Sequence, residues 1–317
     1  MAPMNQRGAA VIDPILTTHA VGYRNALMIS SVLFPIVTVT NRSMRVIKFG
    51  KESFRLLNTR RAPGAARKRV QYGYADDPLA LIQDALDGIV PREHQEEAET
   101  VPGIDLGAGA VDTVLDIMAL GDEVTAANLA RNADSYDANH KITLAGTDRW
   151  TDGVNSDPKA DIDAGKESVR GSTGRYPNTL ALGPTAGNAL KNHPKIKEQF
   201  KYTSADSVTD EMLARYFDIE RVVIGKAVYL PENADEDDLA LDVWGNDAVL
   251  AYVPSAGDTY QVPSYGYTYR LRGYPMVEQP WFDKTISSWI YPTTTERAPL
   301  LTSAMAGFLF TNAGASV

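Results

Sequence analysis

The chain has 317 residues, 44% of them hydrophobic and 22% charged, with a net charge of −9; this allows one large core or two modest ones and excludes a disordered or collagen-like chain. It has no cysteine, which excludes disulfides and thiolate chemistry, and its overall negative charge argues against nucleic-acid binding by the chain as a whole. Ala26 to Val39, the best apolar run, is broken by Ser30, Ser31 and Pro35 and falls short of the roughly 20 residues a membrane helix needs. Met1 to Arg7 lacks the basic and apolar parts of a secretory signal, so a soluble chain is expected.

Local charge is the most informative feature. Arg42, Arg45, Lys48, Lys51, Arg55, Arg60, Arg61, Arg67, Lys68 and Arg69 stand against the single acid Glu52. From Asp76 to Asp137 the sign reverses: Glu93, Glu96, Glu97, Asp112, Asp116, Asp122 and Glu123 are among the acids, opposed only by Arg92 and Arg131. The basic segment reads as strand, turn, strand, with Met44 to Leu57 rich in Val, Ile and Phe, a turn at Ala62-Pro63-Gly64-Ala65, and alternation from Arg69 to Tyr74. Its apolar residues, Val46, Phe49, Phe54, Leu56 and Tyr72 among them, are too spread to build a core, and a lone two-stranded hairpin is marginal in water. It therefore needs a partner surface.

Pro78 to Ile89 reads as a short helix and Pro91 to Thr100 as a second. Ala110 to Asn132 reads as a longer one, with Val111, Val114, Leu115 and Met118 on an apolar face and Asp112, Asp116, Asp122 and Glu123 on an acidic one. Asp157 to Arg170, closing at Gly171, predicts another helix. Arg175 to Val253 alternates: strand Thr179 to Leu182, helices near Thr185 to Lys191, Pro194 to Lys201 and Thr209 to Phe217, then strands Arg221 to Tyr229 and Val243 to Tyr252. Ser207, Thr209 and Asp210 are candidate caps. Asn233 to Asp238 is an exposed acidic loop tip, Ser255 to Tyr274 exposed β structure, and Lys284 to Thr311 a series of short strands.

Catalytic chemistry finds little support. His19, His94, His140 and His193 have no second ligand at a metal-site spacing, and Ser255 and Ser264 do not sit in a nucleophile elbow. Gly103, Gly107 and Gly109 lack the preceding strand and following Lys-Ser/Thr of a phosphate loop. Asp235, Glu236, Asp237 and Asp238 lack the spacing of a calcium loop and read as solvated. No catalytic, cofactor-binding or metal residue is assigned. A soluble metal-dependent enzyme using that acidic loop is the alternative from another class.

Several segments in order carry a resemblance: Thr59-Arg60-Arg61-Ala62-Pro63-Gly64, Glu123 to Asn132, Leu144 to Asp152, Gly174-Arg175-Tyr176-Pro177-Asn178-Thr179-Leu180, Leu190 to Ile196 and Ile219 to Ala227. In this order the chain resembles the major capsid proteins of tailed bacteriophages, over nearly its whole length. The resemblance implies an α+β fold of the Hong Kong 97 type. Its parts would be an N-terminal arm (1–40), an extended β-hairpin loop (41–76), a peripheral domain with a spine helix (77–175), an α/β axial domain (176–274) and return strands of the peripheral domain (275–317).

It further implies a subunit of hexamers and pentamers in an icosahedral virion shell around double-stranded DNA, assembled in the bacterial cytoplasm without membrane or cofactor. The DNA would meet the inner face without sequence specificity. Because only residues 1–40 precede the hairpin, a separate scaffolding protein is expected, with a portal and possible decoration protein. Within the same fold, a cargo-packing encapsulin shell is the alternative. On this reading the hairpin crosses a neighbouring copy, through Arg45, Val46, Lys48, Phe49, Phe54, Arg55, Leu56, Arg60, Arg61, Arg67, Lys68, Arg69 and Tyr72. It would meet that copy's acidic spine region at Glu93, Glu96, Glu97, Asp112, Asp116, Asp122 and Glu123.

Overall fold

The computed structural model describes residues 12–22, 28–46, 60, 78–99, 105–201, 207–235, 237–254 and 264–316. The chain begins with α1 (Pro14–Gly22), α2 (Ser30–Leu33), β1 (Ile36–Val39), β2 (Ser43–Arg45), β3 (Pro78–Ala80), β4 (Ile82–Pro91), α3 (Arg92–Glu99) and the long α4 (Leu106–Arg131). It continues through β5 (Lys141–Thr143), α5 (Pro158–Thr173), β6 (Thr179–Leu182), α6 (Pro184–Asn192), α7 (Pro194–Gln199), α8 (Asp210–Phe217) and β7 (Arg221–Ile224). A small hairpin, β8 (Val228–Tyr229) and β9 (Leu241–Asp242), precedes β10 (Ala248–Ala251), β11 (Gly266–Leu271), β12 (Met276–Val277), β13 (Trp281–Asp283), β14 (Ser288–Leu301) and β15 (Gly307–Thr311).

Two sheets dominate. In the six-stranded sheet the 14-residue β14 is the hub, with β4 along one side over ten registered positions and β11, β12 and β13 on the other; β1 extends it in parallel from β11. The five-stranded sheet runs β5, β15, β10, β6, β7. Its central strands β6 and β10 are buried at every position, as continuous apolar runs covered on both faces should be.

Helix α4 serves both sheets. Asp105 caps its start by accepting from the Ala108 N–H at 3.0 Å. At roughly 1.5 Å per residue, its 26 residues span about 39 Å. In its first half Val111 and Leu115 pack with Val90, Val277 and Tyr291 of the six-stranded sheet. In its second half Ala126, Ala127 and Ala130 leave room for Phe34, Trp244, Val249, Tyr265 and Leu309 on one face of the five-stranded sheet. The other face of that sheet is covered by α5, α6 and α8 through Ile162, Val169, Leu190, Leu213 and Phe217.

Between these two packing zones lies Glu123, with 0% of its surface exposed. Its carboxylate accepts from the N–H groups of Ile29 (2.9 Å) and Ser30 (2.7 Å) and from Trp244 Nε1 (2.6 Å). Three donors from two distant segments thus converge on one buried charge. One position earlier, Asp122 is ion-paired with Arg297 of β14, which also donates to Met118 O at 2.6 Å. Burial pushes the Asp122 carboxyl up to about 7, outweighing the attraction of Arg297, with Asp84 nearby adding to the rise.

Several expectations are corrected. Pro78 to Ile89 is extended, because pairing with β14 over ten residues outweighs the helix-forming composition of the segment. The expected strand Arg221 to Tyr229 breaks at Gly225, where a Cβ would lie 2.1 Å from the Trp244 ring. Helix α5 passes through Gly171 and stops at Gly174, whose φ of 72° closes it with an N–H bond to Arg170 O. The short strands expected after Lys284 are chiefly one long strand, β14. Residues of α5 and β15 share one hydrophobic cluster with β6 and β10, and β11 belongs to the six-stranded sheet.

Two outcomes follow. Glu123→Ala leaves three donors unpaired, two of them buried, and lowers unfolding free energy by about 3 kcal/mol or more, read from urea midpoints. Asp122 is easier to protonate folded than unfolded, so its ionisation opposes folding: the contribution of this group is fully present below about pH 4 and is lost as pH rises through about 7. Urea midpoints of Asp122→Asn will be flatter than wild type across that window.

Candidate assembly surface

Ser43, Met44 and Arg45, at the start of the cationic segment, form a short antiparallel root with Ala80, Leu79 and Pro78. The root is held to the body from both sides. Arg42 donates to both oxygens of Glu296 at 2.7 and 2.8 Å, which holds that carboxyl below the usual carboxylate range. Val46, 3% exposed, packs with Leu79, Tyr267, Tyr269 and Ala298. It was expected to face a neighbour, but its own chain already covers it, so it anchors the arm. Arg45 and Arg60 are exposed. Lys48, Phe49, Phe54, Arg55, Leu56, Arg61, Arg67, Lys68, Arg69 and Tyr72, and the strand-turn-strand reading that rests on them, lie outside the described residues.

The acids expected to receive the arm divide into two groups. On α3, Glu93, Glu96 and Glu97 face solvent, with Arg92 beside them at 4.0 Å from Glu93 and 3.5 Å from Glu96. Exposed pairs of this kind leave the patch acidic and contribute little energy. On α4 the expected acids are engaged within the chain, with Asp112 still partly exposed. Asp112 is bonded to His19 of α1 at 2.7 Å, Asp122 to Arg297, and Glu123 is buried. Glu123 is therefore corrected from a surface contact to an internal pin: no neighbouring chain reaches it. Asp116 is half-buried.

What α4 turns outward is an uncharged ridge of Gly109, Thr113, Ile117, Gly121 and Thr125. Thr113 and Thr125 spend their hydroxyls on the carbonyls of Gly109 and Gly121. Ile117 is 55% exposed, and Ile82, Leu86 and Ile89 of the adjoining strand β4 are also exposed. These apolar contributors were missed in sequence, because reading Pro78 to Ile89 as a helix placed them on the wrong faces.

Other candidate chemistry is not assembled. Among the described residues no three His, Asp or Glu side chains are grouped to hold a metal ion, and no helix is long and apolar enough to cross a membrane. At the acidic loop, the Asp235 N–H donates to Asp238 Oδ2 at 3.0 Å, a bond within the loop's own turn. His193, buried, bonds to Ser156 Oγ at 3.0 Å, and His140 to Asp137 at 2.5 Å, both as packing partners.

Comparison with known proteins agrees with this architecture. Residues 135–287 match the family described as phage major capsid protein E. The major capsid protein of Burkholderia phage BcepMu is 36% identical over 305 residues, covering 94% of this chain and 95% of that one. The crystal structure of a phage-related protein from Bordetella bronchiseptica RB50 is 42% identical, with a TM-score of 0.85, covering 98% of this chain and 100% of that one. At 11% identity, the subunit of the mature capsid of bacteriophage PhiM1 superposes with a TM-score of 0.52, covering 92% of this chain and 88% of that one, which shows the shared Hong Kong 97-type fold. With one long helix bridging two sheets and 36% identity over 94% of its length, the chain belongs to the family of phage major capsid proteins.

Proposed function

We propose that the chain is a structural subunit, without catalytic activity, that self-assembles into hexamers and pentamers of an icosahedral phage shell enclosing double-stranded DNA. The observation that carries this is full-length similarity to a phage major capsid protein, shared by both sheets and the helix between them. The six-stranded sheet with the first half of α4 takes the peripheral position, and the five-stranded sheet takes the axial one. A separate scaffolding protein, a portal and a possible decoration protein are the partners, with DNA against the inner face and no sequence specificity. The particle is the site of action, and the host cytoplasm the place of assembly. Similarity to a phage protein favours a genome container over an encapsulin-like cargo shell or a metal enzyme.

In the shell, the arm of one copy lies across the α3 and α4 region of the next. Opposite charge, Glu93, Glu96 and Glu97 against the cationic arm, sets register and speeds encounter, at ~0–1 kcal/mol per exposed pair. Burial of Ile117, Ile82 and Leu86, at about 25 cal/mol per Å² of apolar area, supplies the strength.

Electron microscopy of the protein expressed with its scaffold should show closed particles; a stable monomer or dimer by sizing under those conditions overturns the reading. Replacing Arg60, Arg61, Arg67, Lys68 and Arg69 together with Glu should cut particle yield at least tenfold while subunit stability holds, and unchanged yield refutes the arm contact.

A further inference from the structure

Thr185, Asn188 and Asn192 are spaced by three and four residues along α6 and so share one face of it. Across from that face stand the 150–153 loop and the last described residues, 314–316, and between them lies a cleft of about 550 Å³. That is the size of a small-ligand site. Its walls are held from behind. Trp150 donates its backbone N–H to Ala313 O at 3.0 Å and its Nε1 to Asp161 Oδ2 at 2.9 Å, while the Gly314 N–H donates to Asn246 O at 2.8 Å. Two glycines permit the close approach: a Cβ at Gly153 would meet Pro194 at 2.8 Å, and one at Gly314 would meet Ala186 N at 2.2 Å.

Among the described residues that line the cleft none is charged. An ion entering it would give up hydration and find no counter-charge. The polar groups are carboxamides and hydroxyls, and their existing bonds define what remains free. Thr185 Oγ1 donates to Asn246 Oδ1 at 2.8 Å, which leaves the Asn246 NH2 to donate; Lys197 Nζ donates to Asn192 Oδ1 at 3.0 Å, with the same result there. Thr151 Oγ1 donates to Ala315 O at 2.6 Å and keeps its lone pairs.

His193 adds an acceptor that points to a ligand. Ser156 Oγ spends its hydrogen on Asp152 O at 2.5 Å, so toward His193 Nε2, 3.0 Å away, it can only accept. The hydrogen of the neutral ring therefore sits on Nε2, and Nδ1 is a bare lone pair. His193 lines the cleft, is 2% exposed, and has no partner at Nδ1. Burial holds the imidazole below its ordinary range, so the lone pair persists at neutral pH. Native structures rarely leave such a buried acceptor unmade.

We propose that this cleft binds an uncharged saccharide unit, one hydroxyl of which donates to His193 Nδ1. Every hydroxyl both donates and accepts, so neighbouring hydroxyls of one sugar ring match the NH2 donors of Asn188, Asn192 and Asn246 together with the acceptors of Thr151 and His193. Nucleic acid would bring phosphates to a cleft that offers them no cation. A peptide segment draws its specificity from pockets for its side chains. Of the apolar side chains lining this cleft Trp150 is 1% exposed, which leaves only Ala189 and Pro194 to bury one.

Saturation-transfer NMR on the full chain tests the assignment, with glucose, galactose, mannose and N-acetylglucosamine as probes, glucuronate as a charged counterpart and N-acetylalanine methylamide as a peptide one. At least one neutral sugar should bind, and glucuronate should bind at least tenfold more weakly. Asn188 and Asn192 are exposed, so replacing both with Ala should keep the melting temperature within a few degrees of wild type and weaken that sugar at least tenfold. Asn233→Ala, at an exposed position outside the cleft, should leave binding unchanged. With isotope-labelled histidine, the sugar should shift the His193 Nδ1 resonance in the direction of a lone pair gaining a donor, with little change at Nε2. The cleft belongs to a single chain, so these results do not depend on assembly. The proposal is overturned if no probe sugar binds, if binding survives the double variant, if His193 Nδ1 does not respond, or if glucuronate or the peptide probe binds as tightly as the best sugar.

Discussion

A single buried carboxylate ties the two halves of the molecule together. Among the described residues Glu123 forms no salt bridge; its carboxylate is held by two backbone N–H groups at the start of α2 and by the indole of Trp244. Hydrogen bonds to an ionised group in a dry setting are stronger than neutral ones, and an unmade one is correspondingly expensive. The arrangement therefore demands that the N-terminal segment, the long helix and the loop before β10 reach their positions together. Because Trp244 also closes over Gly225, the break between β7 and β8 follows from the same placement.

Around that point α4 changes character. Branched aliphatic side chains hold it at a distance from the six-stranded sheet, and alanines bring it close to the five-stranded one. Its charged residues are spent on its flanks and inner side, against His19 and Arg297, leaving a neutral ridge outward. A helix so committed internally is poorly suited to be an electrostatic landing site. The acids of α3 lie exposed at the surface and make few demands on the fold.

Elements whose signal is local were legible in the sequence. The apolar spacing of α4, the Asp157-Pro158 start of α5 and the Thr209 cap of α8 all specify structure within a few residues. Features set by distant partners were not. The stretch from Leu79 to Ile89 is composed like a helix and becomes strand only because β14, some two hundred positions later, offers a ladder. Glu123 looks like one more acid in an acidic run, since nothing near it announces Trp244, 121 positions away. The charge reversal between arm and spine was visible at once, but which acids remain available depends on the fold.

Strand β15 has a consequence of a different kind. It sits between β5 and β10, inside the five-stranded sheet, yet comes from the last stretch of chain described. During synthesis the ribosome delivers both neighbours well before the strand that joins them, so that sheet stays divided until β15 has emerged. A chain stopped short of β15 lacks the strand that bridges β5 and β10, and the five-stranded sheet cannot close.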